Sequence, residues 1–117
     1  IDAIPQTKED MFYVDALVGY IEDFHIIDVR MLKNSQSNPD GDYLLNIVRV
    51  TSWLQCKEKV VICSGSARSR SPAIAVGVLV KYFKLDFYSA WEQVRKKVPF
   101  VNIDYHIISL KRIFGVG

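Results

Sequence analysis

The segment Val61–Ala73, with the sequence VICSGSARSRSPA, holds the residues of this chain that are best suited to chemistry. It contains one thiol, two guanidinium groups and four hydroxyls, separated by small residues. The β-branched run Val60–Ile62 comes before it, and the apolar run Ala73–Val80 follows it. Ser71 and Pro72 are typical of a helix start, with serine as the N-cap and proline in the first turn. The segment therefore predicts a strand, a loop and a buried helix, an arrangement that binds phosphate or sulfate.

The residues of this loop have separate predicted parts in holding the anion. The backbone amides from Gly65 to Arg70 converge on the oxygens, and most of the side chains between them are too small to obstruct that approach: Gly65, Ser66, Ala67 and Ser69. Arg70 stands where the helix begins and closes the cradle with a bidentate guanidinium. For Arg68 two interpretations are open, a solvent-facing side chain or a contact with a phosphorylated peptide at the rim of the loop. No Gly-Lys-Ser/Thr follows, so the loop is not a Walker-type nucleotide site.

The elements around the loop follow from apolar periodicity and from turn signals. A second strand is predicted at Phe24–Val29, and the segment Lys33–Asp42 is predicted to be a loop. Helices are predicted at Lys8–Ile21, from near Asp42 to Leu54, from Ser71 to about Phe83, from a cap at Asp86 to Pro99, and at about Asp104–Phe114. Strands that alternate with helices predict a small α/β domain, a central sheet flanked by helices, with residues 1–117 as one domain.

The composition narrows the function classes. Half of the 117 residues are apolar, and the formal net charge is only +2, which does not favour a nucleic-acid partner. No apolar run approaches the roughly 18 residues of a membrane span, and the start of the chain is not typical of a signal peptide. Cys56 and Cys63 lie in different predicted elements, so a reducing intracellular compartment, cytoplasm or nucleus, is expected. His25 and His106 show no metal-ligand spacing and are interpreted as packing or surface residues.

Read with Arg70 as its arginine, the loop resembles the signature of the dual-specificity, cysteine-based protein phosphatases, which is His-Cys, five residues and then Arg-Ser/Thr. This alignment puts the family's nucleophile on Ser64, its histidine on Cys63 and its hydroxyl partner on Ser71. The segment DFYSAWEQVRKKVPFVN, Asp86–Asn102, is similar to the family's two closing helices. The resemblance covers roughly Phe24–Phe114. It implies a compact dual-specificity-phosphatase-like fold, a phosphorylated protein or peptide as partner, and neither a metal nor an organic cofactor.

Two positions depart from the family's catalytic pattern. Its nucleophile is a low-pKa thiolate that forms a phosphocysteine, whereas Ser64 has an alcohol. Its general acid, an aspartate, aligns with Lys33, although a shifted loop would offer a nearby carboxylate: Asp28, Asp40 or Asp42. Ser71 keeps its implied hydrogen bond near Ser64. The chain is therefore similar to the phospho-Ser/Thr/Tyr-interacting pseudophosphatases, which hold phosphate without hydrolysing it.

Three alternatives remain open from the sequence. An active phosphatase with serine engineered in place of cysteine at position 64 would have this sequence, and the restored loop would read ICCGSARSRS. The spacing from Cys63 to Arg68, with FHIIDVR upstream, resembles the rhodanese sulfurtransferases, in which Cys63 would carry a persulfide. The loop would otherwise be an inert connection with solvated arginines.

The family also has a further strand or two before residue 24, where a helix is predicted here.

Overall fold

Four short strands pair into one mixed sheet with β4 in its interior. The computed structural model describes residues 2–5, 11–15, 22–65, 69–98 and 101–116. Its strands are β1 (Asp2–Pro5), β2 (Met11–Asp15), β3 (His25–Asp28) and β4 (Val60–Cys63), and their order in the sheet is β1-β2-β4-β3. β1 is antiparallel to β2, while β4 is parallel to both β2 and β3. The predicted strand at 24–29 and the strand predicted at the β-branched run from Val60 are confirmed.

The N-terminal helix predicted at Lys8–Ile21 is wrong where the structure describes it. Residues 11–15 form β2, which pairs with β4 through Tyr13 and Val61, and residues 8–10 and 16–21 lie outside the described residues. Phe12 and Val14 are fully buried while Tyr13 and Asp15 are half-buried, which is the two-residue period of a strand. The helical spacing from Phe12 onward was coincidental, because pairing with β4 satisfies the backbone groups of this segment. β1 and β2 thus supply the strands that the sequence analysis missed.

The described part of the chain has four helices after β3, and three of them pack across the sheet. They are α1 (Asp40–Gln55), α2 (Arg70–Lys81), α3 (Phe87–Lys97) and α4 (Ile107–Ile113). α1 contacts β3 and β4, α2 contacts β4 and β2, and α3 contacts β1, with α2 between the other two. The strands bury a row of large apolar side chains in the core: Ile4, Phe12, Val14, Ile27 and Ile62. None of the helices that the structure describes is long and apolar enough to cross a membrane.

The helix boundaries agree with the predictions to within a few residues, apart from one cap. The predicted cap Asp86 is confirmed, since its side chain accepts a hydrogen bond from the Ser89 amide. Ser71, predicted as the N-cap of α2, lies inside the helix instead, and Ser69 is the residue that precedes its first turn. α2 begins before Ser71 because the Ser71 side chain faces inward. Its hydroxyl is hydrogen-bonded to the buried Ser64 and does not cap an amide at the helix end.

Candidate functional site

The loop that joins β4 to α2 leaves the sheet at the carboxyl ends of three parallel strands. Asp15 of β2 and Asp28 of β3 both lie level with Cys63, the last residue of β4. In open parallel sheets, this edge is where ligands bind. The structure describes Ser64, Gly65 and 69–71 of the predicted cradle. The predicted parts of Ser66, Ala67 and Arg68 fall outside the described residues and stay predictions.

Ser64 forms the buried floor of the loop. Its side chain is fully buried, and its Oγ donates a hydrogen bond to Ser71 Oγ at 2.9 Å. Ser71 is fully buried too. Two residues seven apart in sequence are thus joined because α2 begins directly over the end of β4. The contact predicted between the nucleophile position and its hydroxyl partner is present in the structure.

Gly65 makes the turn that follows. Its φ of +95° belongs to the backbone region that L side chains rarely adopt, which is why glycine suits this position. A Cβ added there would come within 3.5 Å of Arg70 Nη2. That distance is an ordinary van der Waals contact, so the positive φ is what favours glycine here.

Arg70 bridges the loop and the segment after β3. Its Nη2 donates to the carbonyl of Ser64, and its Nη1 lies 3.3 Å from the carbonyl of Arg30 and 3.4 Å from that of Leu32. Its Nε is buried and has no hydrogen-bond partner among the described residues. The two Nη1 contacts are long for hydrogen bonds, so these donors can be exchanged for a better acceptor. The guanidinium predicted to clamp the anion thus stands at the loop, half-buried, with a donor still to be satisfied.

Cys63 is unsuited to nucleophilic chemistry in this structure. Its side chain is fully buried and lies outside the main core cluster, on the opposite side of β4 from Ile62. Burial, together with the negative charges of Asp15 and Asp28, raises the pKa of the thiol to about 11. A reactive cysteine needs a lowered pKa and access to substrate.

Two of the three carboxylates that could act as the general acid are paired with arginines. Asp28 pairs with Arg30 at 2.8 Å, and hydrogen bonds from Arg30 lower the pKa of that carboxyl. Asp40 pairs with Arg112 at 2.6 Å, and its pKa is lowered in the same way. Asp42 is half-buried in the first turn of α1. A carboxyl that arginine keeps ionised is a poor proton donor.

Lys33, at the position aligned with the acid, is exposed, and its backbone is tied to Asn38. The Asn38 Oδ1 accepts from the Lys33 amide at 2.8 Å, and the Asn38 Nδ2 donates to the Lys33 carbonyl at 2.7 Å. Because Leu32 touches Arg70, this segment begins right beside the cradle. The structure thus brings the Lys33 loop next to the β4–α2 loop.

His106 is the residue near the site whose connection to it the sequence analysis missed. It is fully buried, and it contacts Tyr43 through Nδ1 and Ser69 through Nε2. The missed signal was its place in the apolar spacing of the last helix, between Ile103 and Leu110. A polar side chain on such a stripe needs a buried partner. His25, in contrast, is partly exposed and stacks on Trp53, and it was interpreted as a packing or surface residue.

The structure also has a cavity away from the cradle. A cavity of about 440 Å³ lies at the other end of the sheet, where β3 and β4 begin, and is lined by 23–25 and 57–59. Its position at the amino ends of the parallel strands separates it from the cradle. Within the described ranges, no three side chains of His, Cys, Asp or Glu come together in a way that would hold a metal ion.

The sequence matches no family model and no curated protein. Solved structures do match the fold. A leucine-rich-repeat and phosphatase-domain protein from Entamoeba histolytica is 23% identical with a TM-score of 0.65, and the match covers 77% of this chain and 69% of that one. Human DUSP28 is 11% identical with a TM-score of 0.66 over 76% of this chain and 71% of that one.

The chain has the fold of the dual-specificity phosphatases. A third solved structure, the human tyrosine phosphatase-like serine/threonine/tyrosine-interacting protein, is 16% identical with a TM-score of 0.64 over 72% of this chain and 57% of that one. The predicted fold class is therefore confirmed, including its likeness to a phosphatase-like protein of the interacting type. The β4–α2 loop of this fold is the segment whose sequence resembles the signature of the dual-specificity phosphatases.

Proposed function

We propose that this chain binds phosphate, as part of a phosphorylated protein or peptide, at the β4–α2 loop and does not hydrolyse it. The proposal rests mainly on the residue type and environment of Ser64. A fully buried alcohol, hydrogen-bonded to Ser71, occupies the position that the alignment gives to the nucleophile. The pKa of an alcohol lies far above that of a thiol, and loop dipoles do not bring it into the neutral range.

Binding is supported by the parts of the loop that do not depend on a thiol. α2 begins at the loop, so its unpaired amides and its dipole favour an anion there. Arg70 adds a half-buried positive charge whose Nε has no hydrogen-bond partner among the described residues. A dianionic phosphate ester fits this set of donors.

The absence of hydrolysis is supported by the surroundings of the loop. Asp28 and Asp40 are ion-paired with arginines, and the aligned acid position holds Lys33. An ammonium at that position attracts a phosphate but gives little help to a leaving group. The position aligned with the family's acid thus holds a cation, and the position aligned with its nucleophile holds an alcohol.

An active phosphatase that lacks only its cysteine is the second candidate, and one contact favours it. The Ser64 Oγ lies 2.9 Å from Ser71 Oγ, where the same hydroxyl would stabilise a thiolate at position 64. The sulfurtransferase alternative is disfavoured, because Cys63 is fully buried and its pKa is raised to about 11.

The first experiment measures binding of inorganic phosphate and of a phosphotyrosine peptide by calorimetry. We expect the parent protein to bind both, and Arg70→Ala to lower the phosphate affinity by about tenfold or more, the scale of a lost hydrogen bond to a charged group. Arg70→Lys keeps the charge without the fork and should fall in between. The matched control is Arg95→Ala on α3, an exposed arginine that pairs with Glu92. Equal affinities in all four proteins would reject the proposed site.

The same proteins, assayed with p-nitrophenyl phosphate, separate the two candidates. We expect no turnover by the parent protein. Turnover by Ser64→Cys that disappears in Ser64→Cys/Arg70→Ala would mean that the cradle is competent and that only the nucleophile is replaced. If Ser64→Cys also stays silent while phosphate still binds, the binding function stands and the phosphatase candidate is rejected.

A further inference from the structure

A buried chain of hydrogen bonds connects the Lys33 loop with the start of α2. Asn38 Nδ2 donates to Tyr43 Oη at 3.1 Å, Tyr43 Oη lies 2.7 Å from His106 Nδ1, and His106 Nε2 lies 3.0 Å from Ser69 Oγ. Asn38, Tyr43 and His106 are buried, and Ser69 is half-buried at the loop. The chain crosses from a loop before α1 to the last residue before α2.

Asn38 sets the direction of this chain. Its Oδ1 accepts the backbone N–H of Lys33, so that atom has to be the oxygen. Its Nδ2 faces the carbonyls of Lys33 and Ser35, so that atom has to be the nitrogen. The amide orientation is therefore determined by backbone groups, and the Asn38 Nδ2 can donate to Tyr43 Oη but cannot accept its hydrogen.

The next two contacts fit the tautomer of His106 that carries its hydrogen on Nε2. Tyr43 has one hydroxyl hydrogen, and His106 Nδ1 at 2.7 Å is in position to accept it. An imidazole whose Nδ1 accepts carries its hydrogen on Nε2, which then donates to Ser69. The neutral state agrees with burial and the nearby charge of Arg70, which lower the pKa of His106 to about 4. Burial also raises the pKa of Tyr43, which keeps its hydroxyl protonated.

Ser69 differs from an ordinary N-cap in a way that fits this arrangement. Serine before a first turn commonly accepts a hydrogen bond from a backbone amide of that turn, but the Ser69 side chain makes no such bond. Its oxygen instead lies 3.0 Å from His106 Nε2, and it accepts from His106 in the tautomer with the hydrogen on Nε2. In that arrangement the Ser69 hydroxyl keeps its own hydrogen to donate.

We propose that His106, itself held by Tyr43 and Asn38, is a positioning residue that presents the Ser69 hydroxyl as a hydrogen-bond donor to the anion in the β4–α2 loop. This inference rests on the proposed phosphate-binding function and adds a specific side-chain donor to it. It also makes the Lys33 loop and the cradle parts of one hydrogen-bonded unit.

Two measurements on the full chain test the proposal. The first is a long-range ¹H–¹⁵N spectrum of the imidazole groups at neutral pH, in which we expect the His106 hydrogen on Nε2. The second is the affinity for inorganic phosphate. We expect Ser69→Ala and His106→Leu each to weaken it by about five- to tenfold, and the double variant to be no weaker than either, because both remove one donor. His106→Gln, which can still accept and donate, should recover part of the loss.

The control is Ser52→Ala, an exposed serine of α1 whose hydroxyl donates to the Val48 carbonyl of the same helix. We expect parent-like phosphate affinity from it. A proton on Nδ1 of His106 would overturn the proposed direction. Parent-like phosphate affinity in Ser69→Ala, together with weakened binding in Arg70→Ala, would reject this inference and leave the proposed function intact. A parent protein that binds no phosphate would reject the proposed function itself, and the role of Ser69 with it.

Discussion

Cys63 and Ser64 show how one step along the chain changes what a side chain can do. Cys63 ends β4 on the side away from the helices, where burial and two carboxylates raise its pKa to about 11. Ser64 comes next and meets Ser71 on the helix side. The residue with nucleophilic chemistry is sequestered, and the residue at the reactive position lacks that chemistry. This pair of residues supports the proposal that the chain binds phosphate without turnover.

The contrast between the two cysteines gives a direct test of that interpretation. Cys56 is exposed, whereas Cys63 is buried with a raised pKa. We expect one thiol per chain to react rapidly with an aromatic disulfide reagent at pH 8 in the native protein, and two after denaturation. In Cys56→Ser the fast native reaction should vanish. Fast reaction of a thiol in native Cys56→Ser would mean that Cys63 is accessible and would reopen the sulfurtransferase alternative.

Among the helices, the contact between α1 and α2 positions the start of the cradle. Gly77 of α2 faces Ile47 of α1, and a Cβ at Gly77 would come within 2.3 Å of Ile47 Cδ1 and 2.8 Å of its Cγ1. Ile47 is fully buried and has little space to move. The missing side chain at Gly77 therefore sets how closely α2 lies against α1, and α2 carries both Arg70 and Ser71.

Gly77→Ala is accordingly expected to destabilise the protein by about 1–3 kcal/mol, the usual cost of overpacking a core. Gly41→Ala is the matched control, because a Cβ there would meet nothing within 4 Å. That variant should be neutral or more stable by up to about 1 kcal/mol, the helix preference of alanine over glycine. Urea unfolding of both variants gives the comparison. Equal free energies of unfolding for the two variants would show that α1 and α2 can move apart without loss of stability.

In the molecule as a whole, the site is assembled from segments far apart in sequence. Arg70 reaches the carbonyls of Arg30 and Leu32, and His106 from the last turn before α4 meets Ser69. The Lys33 loop is thereby held beside the cradle. The Lys33 charge therefore acts on the cradle through space, and its effect can be measured in a variant whose cradle carries Ser64→Cys.

Lys33→Asp in the Ser64→Cys background tests whether that position still faces the leaving group. If Ser64→Cys turns over p-nitrophenyl phosphate, we expect the added aspartate to raise the rate on phenyl phosphate about 10²-fold, the lower end of general-acid effects. The gain on p-nitrophenyl phosphate should be smaller, because its leaving group needs little protonation. Lys33→Asn is the charge-neutralising control. Equal gains from aspartate and asparagine would indicate a charge effect without proton transfer.

The sequence by itself determined the elements whose signals are local. The β-branched run at Val60 forms the inner strand β4, Asp86 caps α3, and the order strand, loop and helix around Ser64 and Arg70 is as predicted. These features depend on short-range hydrogen bonding and on side-chain periodicity, which are visible in neighbouring residues. The likeness to the dual-specificity-phosphatase fold followed from the same local pattern.

Only the tertiary structure decided the features that depend on distant partners. Residues 11–15 form a strand because β4 offers them hydrogen bonds, although their spacing also suits a helix. Ser69 takes the place before α2 because Ser71 has a buried partner in Ser64, and His106 lies inside because Tyr43 and Ser69 satisfy both of its ring nitrogens. Each outcome follows from a partner many residues away, since a buried polar group is stable only where the fold supplies its hydrogen bond.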